Sequence, residues 1–339
     1  MKQAIISAVL GVLLASLPAT GASAQATLQS VKQKGYLACG SSTGLVGFGL
    51  PDAQGNWTGL DVDFCRAMAA AIFNDPTKVR FIPLDAKDRF TALQSGGVDV
   101  LSRNSTATMS RDTQLGLDFP AITYFDGQGF MVRKSRGVSS VKELNGASVC
   151  AGQGTTNELN LADYFRANNM TYEVVASSGA EEYTAYEAGR CDALTTDASG
   201  LYAARLKVSN PDDHIVLPEI ISKEPLGPAV RHGDSQWGDI VRWVHNAMLN
   251  AEEFGVTKVN VEQMKSSANP EIKRLLGTEG KFGEAIGLTN DWAVRVIKHV
   301  GNYGEAFEKN VGEGSRLKIK RGQNALWTKG GLQYGLPIR

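Results

Sequence analysis

The sequence predicts an α/β protein of two lobes in tandem, joined by two chain crossings in a hinge layout. Three observations predict it. Strand-like and helix-like stretches alternate as βαβαβ twice over. A glycine-bearing loop follows the first strand of each run, and a long amphipathic stretch, residues 235–254, comes after both. The length of 339 residues suits two domains better than one, and 42% apolar with 21% charged residues is ordinary for a globular chain. A formal charge of zero gives no reason to expect nucleic acid or an anionic membrane surface as a partner.

The first run begins with strand Tyr36–Cys39, then the loop Ser41–Gly59 and helix Val62–Phe73. Strand Val79–Pro83, helix Arg89–Gln94 and strand Val98–Leu101 complete it. Strand Gly129–Val132 opens the second region, where strand Ala147–Ala151 runs into Gly152-Gln-Gly-Thr-Thr and helix Glu158–Ala167. Strand Tyr172–Ala176, helix Ala180–Ala188, strand Ala193–Thr196 and helix Gly200–Lys207 follow. This order implies mostly parallel sheets, with ligand contacts at the carboxyl ends of the strands. The segment beyond residue 234 lacks a third such run and is expected to return to the first lobe. Lobe one is then 25–127 plus 228–339 and lobe two 128–227, with crossings near Gly127–Gly129 and Pro225–Pro228.

Residues 1–24 read as a signal peptide. Lys2 supplies the charged start, Ala4–Leu17 the apolar core and Ala22-Ser23-Ala24 a small-residue cleavage site, with Ala24-Gln25-Ala26 the alternative. No later stretch offers the ~18 consecutive apolar residues of a membrane span. Export to an oxidising compartment makes four cysteines read as disulfides, against the alternative of four buried thiols. Of three possible pairings, Cys39–Cys65 and Cys150–Cys191 are favoured. Cys39 ends the first strand and Cys65 lies on the helix expected to pack on it, while Cys150 ends one strand and Cys191 precedes another.

Candidate binding residues cluster after strands. Asn104, Ser105, Thr106 and Thr108 follow strand Val98–Leu101, and Ser110 is the expected cap of a short helix with Arg111 in its first turn. A guanidinium there opposes the helix dipole, which points to an anion, carboxylate-sized, held by Arg111 and free N–H groups. Thr155 and Glu158 have capping-box spacing at a second helix start, another anion site. Asp197, just past strand Ala193–Thr196, suits an ammonium, or else caps the helix after it. An arginine and a helix start for carboxylate, and an aspartate for ammonium, describe the α-carbon end of an amino acid. Split between lobes, they would make binding drive closure. Lys87, Asp88 and Arg89 read better as a solvated face than as side-chain contacts. Arg103 is similarly placed, with Asp99 or Asp112 as possible partners, and Glu224 either meets the ligand or braces the hinge.

Longer stretches carry a resemblance. They are Gly-Asn-Trp-Thr-Gly-Leu-Asp-Val-Asp-Phe-Cys-Arg (55–66), Arg-Phe-Thr-Ala-Leu-Gln-Ser-Gly (89–96), Asp-Val-Leu-Ser-Arg-Asn (99–104) and Asn-Leu-Ala-Asp-Tyr-Phe-Arg-Ala-Asn-Asn-Met (160–170). Ala-Gly-Arg-Cys-Asp-Ala (188–193), Gly-Asn-Tyr-Gly-Glu (301–305) and the tail 324–334 add to them. The chain thereby resembles the periplasmic solute-binding proteins of polar-amino-acid ABC transporters, and within them the general L-amino-acid-binding subgroup. The resemblance implies the two-lobed periplasmic-binding-protein (type II) fold, a periplasmic location, a monomer, L-amino acid ligands and membrane permease subunits as partners. It implies α-carboxylate contacts from Arg111 and Thr156, backbone and hydroxyl contacts from Asn104 and Thr106, an ammonium contact from Asp197, and Phe48 over the ligand or else anchoring its loop. Departures are Ala107 for an expected tryptophan, Val46 for a proline, and Gln153 and Asn157 in the lobe-two loop.

Enzyme readings find little support. Gly40-Ser41-Ser42-Thr43-Gly44 matches G-x-S-x-G, but no helix follows directly. His214, His232, His245 and His299 are scattered, no C-x-x-C exists, and no phosphate-loop motif is present. No catalytic residue, cofactor or metal is expected. The remaining alternative is an exported lyase or dehydratase on the same fold.

Overall fold

The computed structural model describes residues 26–177 and 181–339. The expected leader, residues 1–24, lies outside the described residues, as does Ala180 of the expected helix Ala180–Ala188. Strands β1 (Leu37–Ser42), β2 (Val79–Leu84) and β3 (Val100–Thr106) are parallel, in the order β2-β1-β3. Helices α1 (Ala26–Lys34), α2 (Leu60–Phe73) and α3 (Arg89–Gln94) accompany them. After α4 (Met109–Thr113), the short strands β4 (Leu117–Asp118) and β5 (Tyr124–Asp126) lead to the first crossing.

A second sheet follows, built from β6 (Gln128–Arg133), β7 (Ala147–Gly152), β8 (Tyr172–Ser177), β9 (Ala193–Asp197) and β10 (His214–Val216). Its order is β8-β7-β9-β6-β10, with β8, β7 and β9 parallel and β6 antiparallel to β9. Helices α5 (Thr156–Ala167), α6 (Glu181–Glu187) and α7 (Ala198–Arg205) connect or follow its parallel strands. The chain then returns to the first sheet as β11 (Glu224–Arg231), antiparallel to β3, β4 and β5. Both sheets thus share one plan, three parallel strands ordered second-first-third with an antiparallel strand beside the third. This is the two-lobed fold.

The return crossing differs from expectation. A crossing was expected near Pro225–Pro228, with lobe two ending at 227, yet β11 begins at Glu224 and pairs with the first sheet, so the crossing lies between Val216 and Glu224. Proline removes a ladder donor, but the pairing of β11 with β3 shifts register between Gly227 and Ala229, so Pro228 occupies an irregularity where no donor is required. The two crossings lie side by side. A Cβ on Gly127 would stand 2.2 Å from Ile220 Cγ2 and 2.8 Å from the Ser222 carbonyl, so only glycine lets them approach.

Helix α8 (Ser235–Glu253) buries its apolar face, Trp237, Ile240, Val241 and Val244, in one core with Phe64 and Met68 of α2. Helices α9 (Trp292–His299) and α10 (Tyr303–Asn310) join that core. The Trp237 indole N–H donates to the Asp99 carbonyl at 2.9 Å, tying α8 to the strand edge. The C-terminal segment therefore packs on the first sheet. Cys39–Cys65 joins β1 to α2, and Cys150–Cys191 joins β7 to the turn before β9.

Candidate ligand-binding cleft

Parallel strands end, and the antiparallel strands β6 and β11 begin, on one side of each sheet. Thr106 ends β3, and Glu224 starts β11 beside it, with Leu226 opposite Thr106 in register. In the second sheet Gly152 ends β7 and Asp197 ends β9, opposite Gln128. These two edges face each other across a cavity lined by Asn104 and Thr106 from one side and by Thr156 and Asp197 from the other. Four of the six expected binding residues therefore meet.

Local chemistry places each one. Asn104 has φ 32°, a conformation asparagine tolerates better than most residues. Asp61 in the first turn of α2 holds it there by accepting from the Asn104 N–H at 2.8 Å, and Asn104 Oδ1 is buried without a partner. Thr155 caps α5, its Oγ1 accepting from Glu158 N–H, while Glu158 reaches back to Gly154 N–H. Thr156 is thereby freed to face the cavity. Asp197 stands at the N-cap of α7 but makes no side-chain cap bond; its Oδ1 accepts instead from Asn157 Nδ2 at 3.0 Å.

Arg111 sits one layer behind the cavity wall. Its helix is capped by Thr108, whose Oγ1 accepts from Arg111 N–H at 3.3 Å, and not by Ser110 as expected. Two residues of extended chain beyond β3 put Thr108 at the cap. The Arg111 guanidinium donates to the Thr106 carbonyl at 2.8 Å and lies over the Phe90 ring at 4.9 Å. Burial lowers its pKa to about 10 against the opposing pull of Glu224 and Asp197.

Phe48 does not overlie the cavity. The Phe48 carbonyl accepts from Asp61 N–H at 3.1 Å, capping α2, and Gly59 (φ 135°) lets it approach where a Cβ would stand 2.0 Å away. That pulls the ring, 1% exposed, into the core edge-on to Tyr124. The loop-anchor alternative is the one realised, and Leu45 lines the cavity instead. Ala107 is not among the lining residues either; its N–H donates to the Pro225 carbonyl at 2.8 Å.

Several lining residues were missed. Lys87 and Asp88 are exposed, but Arg89 beside them is buried in the cavity wall, with Nε unpartnered and its guanidinium 4.6 Å from the Phe90 ring. Burial, then Arg103 and Arg111, push its pKa well below the ordinary guanidinium range. The signal was available: like Arg111, Arg89 begins a helix where the dipole opposes it. Arg103 Nε donates to the Leu84 carbonyl, pairing with neither Asp99 nor Asp112. Glu182 and Tyr183 line the far end, and burial pushes Glu182 up to about 7. Lys207 spans the cleft mouth, its Nζ donating to the Gly44 carbonyl at 2.6 Å.

Asp126 and Glu224 flank the hinge near Asp197. Burial first, then these two like charges, raise the Asp197 pKa far above the aspartate range. The cleft is thus divided: three clustered guanidinium groups, against carboxyl groups crowded at the hinge. Among the described residues, the group whose atoms could meet on a metal ion is Asp112, Asp118 and His232. It lies on the surface, outside the lining, already paired as His232–Asp112 at 3.0 Å.

The model of the bacterial extracellular solute-binding proteins, family 3, matches residues 37–267. The chain belongs to this family. Among its relatives, the general L-amino acid-binding periplasmic protein AapJ of Rhizobium johnstonii is 61% identical over 342 residues, covering 100% of both chains. The glutamate/glutamine/aspartate/asparagine-binding protein BztA of Rhodobacter capsulatus is 57% identical, covering 97% of each. A Brucella ovis ABC transporter periplasmic binding protein, solved with glutathione bound, superposes with a TM-score of 0.91 at 62% identity, covering 92% of this chain and 99% of that one. The fold these family 3 proteins share is the one described above.

Proposed function

We propose that this protein is the extracytoplasmic binding component of an ABC importer, closing on L-amino acids and delivering them to a membrane permease. One observation carries the reading: a buried carboxyl with no counter-cation bonded to it, Asp197, faces buried guanidinium groups across a cavity walled by two sheets. A zwitterion supplies both missing partners. Arg111, turning from the Thr106 carbonyl it now holds, and Arg89 in the cavity wall take the α-carboxylate together with N–H groups at the start of α5. Asp197 takes the ammonium, and Asn104, Thr106 and Thr156 lie between. Contacts split between lobes favour the closed form by the ligand's own binding energy.

The names of the relatives, all binding proteins, support binding over catalysis. Arg103, Tyr183 and Lys207 extend the cleft beyond the α-carbon seat, which suits polar side chains of several sizes. A γ-glutamyl peptide offers the same α-carbon groups at one end, so glutathione, bound by the Brucella ovis relative, fits this reading too. No helix among the described residues is long and apolar enough to cross a membrane. Export then rests on the leader at residues 1–24. Fractionation, mass spectrometry of the mature N-terminus and uptake of labelled L-amino acids with and without the gene test the proposal. Periplasmic recovery with a new terminus at Gln25 or Thr27, and uptake lost on deletion, are expected; retention of full-length chain in the cytoplasm contradicts it.

A further inference from the structure

Strand β11 ends at Arg231 and leaves His232 exposed on the first lobe, outside the cleft lining. Pairing with β4 places Val230 opposite Asp118, and the His232 N–H donates to the Gly116 carbonyl at 3.0 Å, so the backbone holds His232 beside β4. A third group, Asp112, comes from α4, its N–H bonded to the Thr108 carbonyl at 3.0 Å. The His232 Nε2 stands 3.0 Å from Asp112 Oδ1 and 3.4 Å from Asp118 Oδ1. One ligand atom from each of the three lies within 4.8 Å of the others.

Two observations separate this cluster from an ordinary surface ion pair. Among the described residues, neither carboxylate has a lysine or arginine nitrogen in salt-bridge range, so two like charges converge on a ring that is charged only when protonated. A neutral imidazole has at most one Nε2 proton to divide between them. The spacing also suits metal ligation. A zinc ion bonded at ~2.0–2.1 Å to two atoms at the tetrahedral angle holds those atoms ~3.3 Å apart, between the two separations seen here.

We propose that Asp112, Asp118 and His232 form a surface site for a borderline divalent transition ion of the Zn²⁺ type, with water completing the coordination. The ion takes the place of the Nε2 proton, so the imidazole gives its lone pair and the two carboxylates gain the counter-charge they lack. One ring nitrogen with two carboxylates suits such an ion, whereas Ca²⁺ and Mg²⁺ favour shells of oxygen alone. Bound there, the ion ties α4, the helix that carries Arg111, to the β4–β11 edge. The three ligands lie on separate elements and match no metal-motif spacing, so sequence alone gave no sign of them. The inference stands apart from the amino-acid reading of the cleft.

The test is calorimetric titration with Zn²⁺ of protein purified without a histidine tag, paired with thermal unfolding. One ion bound per chain is expected, with an unfolding midpoint that rises with Zn²⁺ concentration. His232→Ala and Asp118→Asn each remove a ligand, and each weakens Zn²⁺ binding at least about tenfold while the midpoint without ion stays near that of wild type. Asp118→Asn carries the test alone if His232→Ala does not fold. His299→Ala removes an imidazole that bonds Asn74 instead, and leaves Zn²⁺ binding unchanged. Wild type that binds no Zn²⁺ overturns the inference, as do His232→Ala and Asp118→Asn proteins that bind it as tightly as wild type. Ca²⁺ bound as tightly as Zn²⁺, and still bound by His232→Ala, overturns it too, because the carboxylates would then be acting without the imidazole.

Discussion

Burial withholds water from the Asp197 carboxyl, and Asp126 and Glu224 add like charge beside it, so its proton is held well above the ordinary aspartate range. An arriving ammonium reverses this by favouring the carboxylate. Ligand-bound protein therefore binds fewer protons than free protein, and affinity rises with pH until the free-state carboxyl is ionised. Calorimetric enthalpies measured in buffers of different ionisation heat should reveal proton release on binding, and Asp197→Asn should abolish it. That variant, and Arg111→Ala, each strand one charge of a buried set, at ~3–5 kcal/mol, which is at least a ~10²-fold loss of affinity. Near-native affinity in either variant would refute its role. Asp197 was marked by its place just past a strand and Thr156 by the family resemblance, and the structure places both in the cavity lining. Arg89 carried the same mark as Arg111, a cation at a helix start, but Lys87 and Asp88 beside it are exposed, and one residue's difference on a short helix decides which side chain turns inward. Glu224 was visible only as a carboxylate near a crossing, because three of its four donors, Thr106, Thr156 and Asn160, lie far from it in sequence.

Caps and disulfides place those side chains at the level of the element. The Cys150–Cys191 bond closes 41 residues and joins β7, which leads into Thr156, to the turn before β9, which ends at Asp197. Removing it by paired Cys→Ala substitution should lower unfolding free energy by ~2–4 kcal/mol, read from denaturant midpoints. Ligand affinity should fall less than stability does, because β7 and β9 remain paired. A variant as stable as wild type would show that the bond constrains little. Strand and helix identities were readable in the two βαβαβ runs, where the apolar patterns are strong, but not at α1 or at the strands β4, β5, β10 and β11. Boundaries slipped where side chains, not periodicity, decide them: Thr108 rather than Ser110 caps α4, and β3 runs on to Thr106 although its last residues are polar. The second crossing, expected near Pro225–Pro228, falls before Glu224, because β11 pairs with β3 and β5 from its first residues.

Two sheets of one plan, crossed twice by the chain, hold the groups proposed to bind ligand on facing edges of one cavity. Across that cavity Thr106 and Thr156 both reach Glu224, and Lys207 reaches Gly44. Lys207→Ala, which removes the bridge at the mouth and no α-carbon contact, should accelerate ligand release several-fold by stopped-flow while leaving the choice between L- and D-isomers unchanged. Loss of that choice would place Lys207 in the α-carbon seat instead. The C-terminal segment packs on the first sheet, as element order led one to expect of it, whereas the place of Phe48 was not legible, because a loop's packing depends on which core lies beneath it. The central claim, a clamp on the α-carbon groups, is tested most directly by calorimetric titration of unfolded and refolded protein. The ligands are the twenty L-amino acids, several D-isomers and the corresponding decarboxylated amines. Binding of several L-amino acids with D-isomers and amines refused is the predicted result; amines bound as tightly as their parent acids would contradict it.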